Sequence, residues 1–519
     1  MSEPDSKQPA RSARWMARGA IAATTASIAA MTLVGVLGPS AAVPRFPAAA
    51  PWPPWFASAK PSPVLVSGVL WAAVLTGGTG IGLGLLAARR GWQPRPGRLL
   101  AGSLTAVVAL TVTPPVGSTD MLDYAVYGRI AALGGSPYQT TPLQLKATGD
   151  PVGAVAPTPW QTDPSVYGPL ATATEWAAAR LAGASAARTV FWLKVWNGLA
   201  FLTLAVGLDR LVRSDRARRT RAHLLWSVNP LMLLAIMAGG HLDGLSAALA
   251  LLGVALLSVP GSWQPGPRRC LFAGLLLGAA AAVTAQLLVV SAGLAWALRR
   301  TPRSLAALGV GLLAVLVPCY LLVGWAAITA VAGRAAGSPS VYDPWLLTRG
   351  LGVNLSNGSI DIIGAFCCVI LAIVMVWRFP AGAAAYPLAR PALAVTLAWL
   401  IATPQQRPWY DAAVFPLLAL MPATRLDWII MVRAVAAALA QLPGVTYYPQ
   451  LTPGLLSGLA GTISVVEAPV SLLAAAIALV WLCASRRWGG DGGRALTCSF
   501  FGVSDGIRTH DIQDHNLAL

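Results

Sequence analysis

Charge is what this chain has least of. Asp, Glu, Lys and Arg make up 11% of its 519 residues, and only 19 of these are acidic. Water-soluble domains carry about a quarter of their residues as charge, so a string of such domains is excluded. Histidine, with 4 residues, and cysteine, with 6, are equally scarce. The cysteines at 270, 319, 367, 368, 483 and 498 fall mostly inside apolar runs, which excludes a disulfide framework or a zinc-binding spacing.

What fills the chain instead is apolar sequence, 56% hydrophobic with a mean hydropathy of +0.64. A hydrocarbon core about 30 Å thick takes roughly 20 apolar residues per helix. Runs of that kind recur to about residue 485, and they predict an all-α polytopic integral membrane protein with about 12 to 14 transmembrane helices.

The formal net charge is +18. Its basic residues do not form one aromatic-laced patch, as nucleic acid would require. They punctuate the gaps between apolar runs, at Arg11, Arg14 and Arg18, at Arg89 to Arg98, at Arg213 to Arg221, at Arg268 and Arg269, at Arg299 to Arg303, and at Arg486 and Arg487. The positive-inside rule accounts for that distribution, so no nucleic-acid partner is expected and both termini are placed in the cytoplasm. Residues 1–17 form a cytoplasmic segment, 18–485 the membrane domain, and 486–519 a cytoplasmic tail expected to be disordered. The tail sequence "SDGIRTHDIQDHNLAL" resembles an extension read through into a neighbouring non-coding gene. Its His510 and His515, with Cys498, match no metal-site spacing. The run from Gly19 to Gly38 is read as a retained first helix rather than a signal peptide.

With the arginine clusters inside, helices at about 18–38, 64–88 and 99–115 deliver "STDMLDYAVYGR" to the outer face, and the chain stays outside over 114–185. A helix from Ala186 returns, 222–238 leaves, and "GGHLDG" makes a tight external turn into 242–259. The run 270–298 has basic flanks at both ends, which predicts two short segments hinged near Thr284 and Gln286. Further spans are expected at about 304–331, 355–377, 391–404, 411–423, 427–443 and 464–485. External connections then include 333–352, 403–411 and 442–454, all bearing proline, aromatics or arginine.

Asp120 and Asp123, three apart, share one helical face if the loop begins helically. Such carboxylates can be a general base, half of a metal site, or solvated loop charges. Their company favours chemistry: Tyr124, Tyr127, Arg129, Tyr138, Trp160 and Tyr167 lie in the same loop. Arg129 offers a bidentate phosphate contact, and aromatic faces suit a sugar. His241 and Asp243, in "GGHLDG", are either a polar turn reaching interfacial water or binders of sugar hydroxyls that support the base. Arg407, Trp409 and Tyr410 are an aromatic belt or a third part of the site. Arg349 is a headgroup anchor or a phosphate ligand.

Taken in order, "STDMLDYAVYGRIAALGGSPY", "PSVYGPL", "GGHLDG" and "RPWY" resemble the GT-C superfamily of membrane glycosyltransferases, and within it the actinobacterial polyprenol-phosphate-mannose-dependent α-1,6-mannosyltransferases, over residues 64–425. The resemblance implies a plasma-membrane enzyme with its site on the external face. It would move mannose from a polyprenyl-phosphate donor to a lipid-anchored α-1,6-mannan acceptor of the lipomannan type, by inverting single displacement. Asp120 matches the family's expected base, and Asp123 ranks second. The family turn reads His-Asn-Asp, whereas Leu242 stands here between His241 and Asp243. No cofactor or metal is expected, since Asp120 and Asp123 alone do not complete a ligand set. The alternatives are a lipid-linked-sugar flippase or other transporter, for which only a mid-membrane pair such as Thr284 and Gln286 speaks, and a non-catalytic envelope scaffold.

Overall fold

A computed structural model describes residues 11–47, 52–55, 57–158, 160–258, 265–335, 340, 343–379, 386–443 and 455–485. The C-terminal tail, with Cys498, His510 and His515, and most of the 442–454 loop lie outside them. Among the described residues there is helix and no strand. Backbone polar groups inside hydrocarbon must pair within their own segment, which helices achieve.

The chain opens with α1 (Arg11–Val36), α2 (Pro63–Arg89) and α3 (Pro96–Val112). Proline in the first turn starts both α2 and α3, where its missing N–H would have been unpaired anyway. Ser62 caps α2 by accepting from the Leu65 N–H. α1 and α2 pack closely enough for Ser27 Oγ to donate to the Ala73 carbonyl at 2.7 Å.

The loop that follows is itself helical. It contains α4 (Asp120–Ala132), α5 (Pro142–Ala147) and α6 (Pro169–Ala182), and it ends where α7 (Ala186–Leu211) begins. Its own apolar core joins Met121, Leu122, Tyr124, Val126, Ile130 and Leu145 to Ala171 and Ala178 of α6 and to Val190 and Leu193 of α7. The loop is therefore a packed cap on the bundle.

The span expected at 222–238 is broken. α8 (Arg216–Ala222), a π turn over His223–Ser227, α9 (Pro230–Met232) and a second π turn over Leu233–Ala238 replace one straight helix. Pro230 cannot continue the ladder, and the Asn229 side chain caps the restart by accepting from the Leu231 N–H. This segment is almost wholly buried.

α10 (Asp243–Leu257) is followed by α11 (Pro267–Val283), a 3₁₀ turn at Ala285–Leu287 and α12 (Leu288–Leu298), so the expected hinge at Thr284 and Gln286 is present. α13 (Pro302–Val323) and α14 (Trp325–Ala335) divide at Gly324, so the expected span 304–331 is not continuous. Next come α15 (Leu347–Gly350), α16 (Asn357–Arg378) and α17 (Ala389–Ala402). The expected span 411–423 is corrected to a 3₁₀ turn (Pro408–Ala413) and the six-residue α18 (Phe415–Leu420), which at about 1.5 Å per residue is too short to cross a bilayer. Pro408 and Pro416 limit both pieces. α19 (Leu426–Gln441), α20 (Leu455–Thr462) and α21 (Ala468–Ser485) complete the chain.

Among the described residues, seven stretches are long and apolar enough to span a membrane, and four shorter apolar helices accompany them. The molecule is an all-α, multi-pass membrane protein. Its arginine-rich end, opposite the 113–185 loop along α3 and α7, is tied by Arg221, whose guanidinium grips both oxygens of Asp427 at 2.9 and 2.6 Å. Arg221 also donates to the carbonyls of Leu418, Ala419 and Met421 at the end of α18. A buried cation is tolerated there because every donor direction finds an oxygen.

Candidate active site

Asp120 opens α4 and stands at the mouth of the bundle, its side chain 22% exposed. Its own N–H donates to Ser118 Oγ at 3.1 Å, which ties the first turn. His241, 121 residues later, brings Nε2 to 3.4 Å from Asp120 Oδ2 and to 3.3 Å from Ser118 Oγ. The other ring nitrogen, Nδ1, lies 2.6 Å from the Ala235 carbonyl, which can only accept. Nδ1 therefore carries a proton, and Nε2 is the nitrogen that faces Asp120.

Burial acts to push the Asp120 carboxyl up, yet the hydrogen bond and charge of His241, the charge of Arg407 and the Ser118 hydroxyl outweigh it and hold Asp120 below the usual carboxylate range. Asp123, one turn along, fares differently. It is 4% exposed with Oδ1 unpartnered. Burial first, then the charges of Asp120, Asp163 and Glu175, raise it well above the usual range. The two carboxyls are thus pushed in opposite directions, which separates two residues that are alike in sequence.

Three elements supply the walls. The His241 ring stacks on Trp409 with centroids 3.6 Å apart and planes 12° apart, and Arg407 lies over the same indole at 5.7 Å. Tyr124 and Tyr167 share a 2.6 Å hydroxyl contact and pack edge to face. Both lie within electrostatic range of Asp120 and of Asp243. Asp243 opens α10, and its Oδ1 accepts from Gln286 Nε2 at 2.6 Å. Asp120, Tyr124, Tyr167, His241, Asp243, Arg407 and Trp409 are brought together.

Arg129 and Tyr138 are not brought there by any contact. Arg129 is at the far end of α4, where Nε and Nη2 both reach Asp150 Oδ2 at 2.9 and 2.8 Å. Asp150 Oδ1 in turn accepts from the N–H groups of Val152 and Gly153. Against the effect of burial, Arg129 and these N–H groups keep Asp150 below the usual carboxylate range. Arg129 braces the loop, and Arg407 is the guanidinium that faces Asp120. Tyr138 spends its hydroxyl on Thr172 Oγ1 at 2.8 Å inside the loop core. Arg349 lies in α15, and its side chain is outside the described residues.

Leu242, the departure in "GGHLDG", is fully buried in the loop core with Met121 and Tyr124. The turn therefore docks on α4 by apolar contact. Gly240 makes that docking possible: its φ is +81°, and a Cβ there would lie 2.4 Å from Met121 Sδ.

Several positioning groups escape a reading by motif. Lys194 in α7 donates to the carbonyls of Thr113 and Pro114 at 2.7 and 3.2 Å, where α3 ends and the site loop starts. Asn197, on the same face, donates to the His241 carbonyl at 3.2 Å. An ionisable residue inside the apolar "FWLKVWNG" was the available signal. Arg433 in α19 pairs with Asp411 and donates to Gln406 Oε1 at 2.6 Å, which fixes the turn carrying Arg407 and Trp409. Glu175 in α6 is fully buried with both oxygens unpartnered, and burial raises it well above the usual range. Among the described residues no group of three or more His, Cys, Asp or Glu is placed to hold a metal ion.

A family model described as "Alpha-(1->6)-mannopyranosyltransferase, N-terminal domain" matches residues 16–300, which contain α4 and the His241 turn. Alpha-(1->6)-mannopyranosyltransferase B of Corynebacterium glutamicum is 24% identical over 183 residues, 34% of this chain and 30% of that protein. A probable alpha-(1->6)-mannopyranosyltransferase of Mycolicibacterium smegmatis is 25% identical over 283 residues, 49% of this chain and 50% of that protein. An alpha-(1->6)-mannopyranosyltransferase of Mycobacterium tuberculosis is 25% identical over 172 residues, 31% of this chain and 29% of that protein. The matched parts span half or less of each relative's length. With more than half of its residues matched by that one model, and with the ordered motifs folded around a single site, this chain belongs to the alpha-(1->6)-mannopyranosyltransferase family.

Proposed function

We propose that the chain is a mannosyltransferase. In this reading it takes mannose from a polyprenyl-phosphate donor and adds it to an α-1,6-mannan acceptor at the external face of the plasma membrane. The observation that carries the reading is the pairing of Asp120 with His241 beside Arg407, because it joins a carboxyl held low, a hydrogen-bonding imidazole and a phosphate-matching cation in one place, with Trp409 stacked on the imidazole to fix it.

The chemistry is a single displacement. Asp120 removes the proton from an acceptor hydroxyl, whose oxygen attacks the anomeric carbon from the face opposite the phosphate. The new C–O bond forms as the bond to the phosphate oxygen breaks, and the polyprenyl phosphate leaves with the electron pair. No general acid is needed, since the phosphate departs as an anion. Arg407, whose charge acts on Asp120, meets that developing charge.

The direct test is transfer of radiolabelled mannose from polyprenyl phosphomannose to an α-1,6-mannooligosaccharide in membranes carrying the chain. Incorporation into longer oligosaccharide is expected. If the wild type incorporates none from any lipid-linked sugar, the transfer reading is lost and transport or scaffolding takes its place.

A pH prediction follows from Asp120. The base form is the deprotonated one, and its neighbours hold the carboxyl below the usual range of about 4. The acidic limb of the rate profile should therefore fall below pH ~4, since activity is lost only as pH drops through the lowered value. Removing the Arg407 charge with Arg407→Gln should move that limb to higher pH. A limb that stays where the wild type has it would mean that Arg407 does not tune this carboxyl.

A further inference from the structure

We propose that the break between α11 and α12 is a hydroxyl-recognition subsite for a pyranose, in which Gln286 and Asp243 together contact a vicinal pair of sugar hydroxyls. The inference rests on the glycosyl-transfer reading above and adds to it a specificity residue, Gln286, and a ligand chemistry.

An interrupted helix at membrane depth is costly because backbone groups lose their partners, and it persists where the exposed groups pair or line a polar cavity. The break falls at Thr284, whose φ and ψ of −138° and 116° are extended. One freed carbonyl is taken from outside the bundle: the Gly168 N–H donates to Val283 O at 3.0 Å. Gly168 follows Tyr167, and a Cβ at 168 would sit 2.2 Å from the Ala282 carbonyl, so the site loop and the helix break are fitted to one another.

Three polar groups around the break keep unused capacity. Gln286 is partly exposed and spends one N–H on Asp243 Oδ1. A primary amide has a second N–H and an accepting carbonyl. The Asp243 side chain is buried, at 2% exposure, and its Oδ2 has no partner. Thr284 Oγ1 is also buried and unpartnered. A buried polar atom left unpaired costs on the order of 1–3 kcal/mol, so two such atoms beside a partly exposed amide point to a ligand that pairs them.

The chemistry of the pair selects the ligand. A carboxyl oxygen and an amide carbonyl both accept from hydroxyls, which fits a neutral polyol. A carboxylate oxygen and an amide already joined by one hydrogen bond are spaced to take two adjacent hydroxyls, one each. Tyr124 and Tyr167 lie within electrostatic range of both Asp243 and Asp120, so the subsite is a neighbour of the base. That polyol is the mannosyl unit of the donor or of the acceptor, which offer the same diol.

The test is binding to the full chain in detergent, read by tryptophan fluorescence with three probes: farnesyl phosphomannose, farnesyl phosphate and α-1,6-mannobiose. Gln286→Met keeps the side-chain length and removes its polar atoms. It should weaken one sugar-bearing probe by about tenfold, the size of a lost hydrogen-bond pair, and leave farnesyl phosphate unchanged. Loss on farnesyl phosphomannose assigns the subsite to the donor sugar, and loss on mannobiose assigns it to the acceptor. The proposal is overturned if both sugar probes bind Gln286→Met as they bind the wild type, or if the wild type binds neither. Unchanged farnesyl phosphate binding certifies the fold. If Gln286→Met fails that control, Gln286→Asn, one methylene shorter, replaces it and must show the same selective loss. A wild type that binds the sugars but transfers no mannose defeats the transfer reading and leaves the subsite standing. A wild type that transfers while Gln286→Met matches it in every respect defeats the subsite alone.

Discussion

Asp120→Asn is expected to lower mannosyl transfer by about 10²–10⁴-fold, the usual contribution of a positioned general base. Asparagine keeps the shape of the side chain and, with it, the backbone N–H bond to Ser118 that starts α4. It cannot accept the hydroxyl proton, and its amide offers His241 a neutral partner instead of a charged one. The comparison with Asp123→Asn makes the test sharp. Asp123 is buried and its carboxyl is pushed well above the usual range, so its amide should retain most of the wild-type rate. The two variants are to be compared at saturating donor, with thermal unfolding in detergent as the control on folding. Equal rates for wild type and Asp120→Asn, or a greater loss in Asp123→Asn, would refute the assignment of the base.

Arg433→Met should destabilise the protein by about 3–5 kcal/mol, because it strands a buried charge. Arg433 is 2% exposed and its partner Asp411 is not exposed at all. Asp411 Oδ2 already lacks a partner, so Arg433 is the group that compensates this carboxylate. The loss would extend to the site. Arg433 also holds Gln406, which donates to the Leu400 and Thr403 carbonyls and so shapes the turn ahead of Arg407 and Trp409. Transfer is expected to fall together with the unfolding midpoint. Replacing both partners, Arg433→Met with Asp411→Leu, should recover most of the stability, since an apolar pair of similar volume removes both desolvation costs. A single variant that unfolds like the wild type would show that the pair does not brace this turn.

Much of the architecture is legible in the chain because charge is so rare in it. Each arginine cluster marks a point where hydrocarbon ends, and the apolar length between clusters gives the helices. The hinge at Thr284 and Gln286 follows from the same arithmetic, because a run with basic flanks at both ends cannot be one straight span. Where proline or glycine interrupts a long apolar run, as at Pro230, Gly324 and Pro416, hydropathy reads through a break that the backbone cannot ignore.

The site divides along the same line. The sequence by itself determined the helical membrane class, the polar loop after α3, Asp120 at its start and the His241 turn, because putting a charged group into lipid is costly enough to confine it to particular places along the chain. Only the tertiary structure decided which of those places meet. It set Arg407 rather than Arg129 against Asp120, and it paired His241 with a carboxylate 121 residues away. It also buried Asp123 while leaving Asp120 at the rim, and it turned Gln286 from a hinge residue into a partner of Asp243. Burial and partner choice are set by how helices distant in sequence pack. Two aspartates three residues apart have the same intrinsic chemistry until that packing gives one a cation and the other an apolar wall.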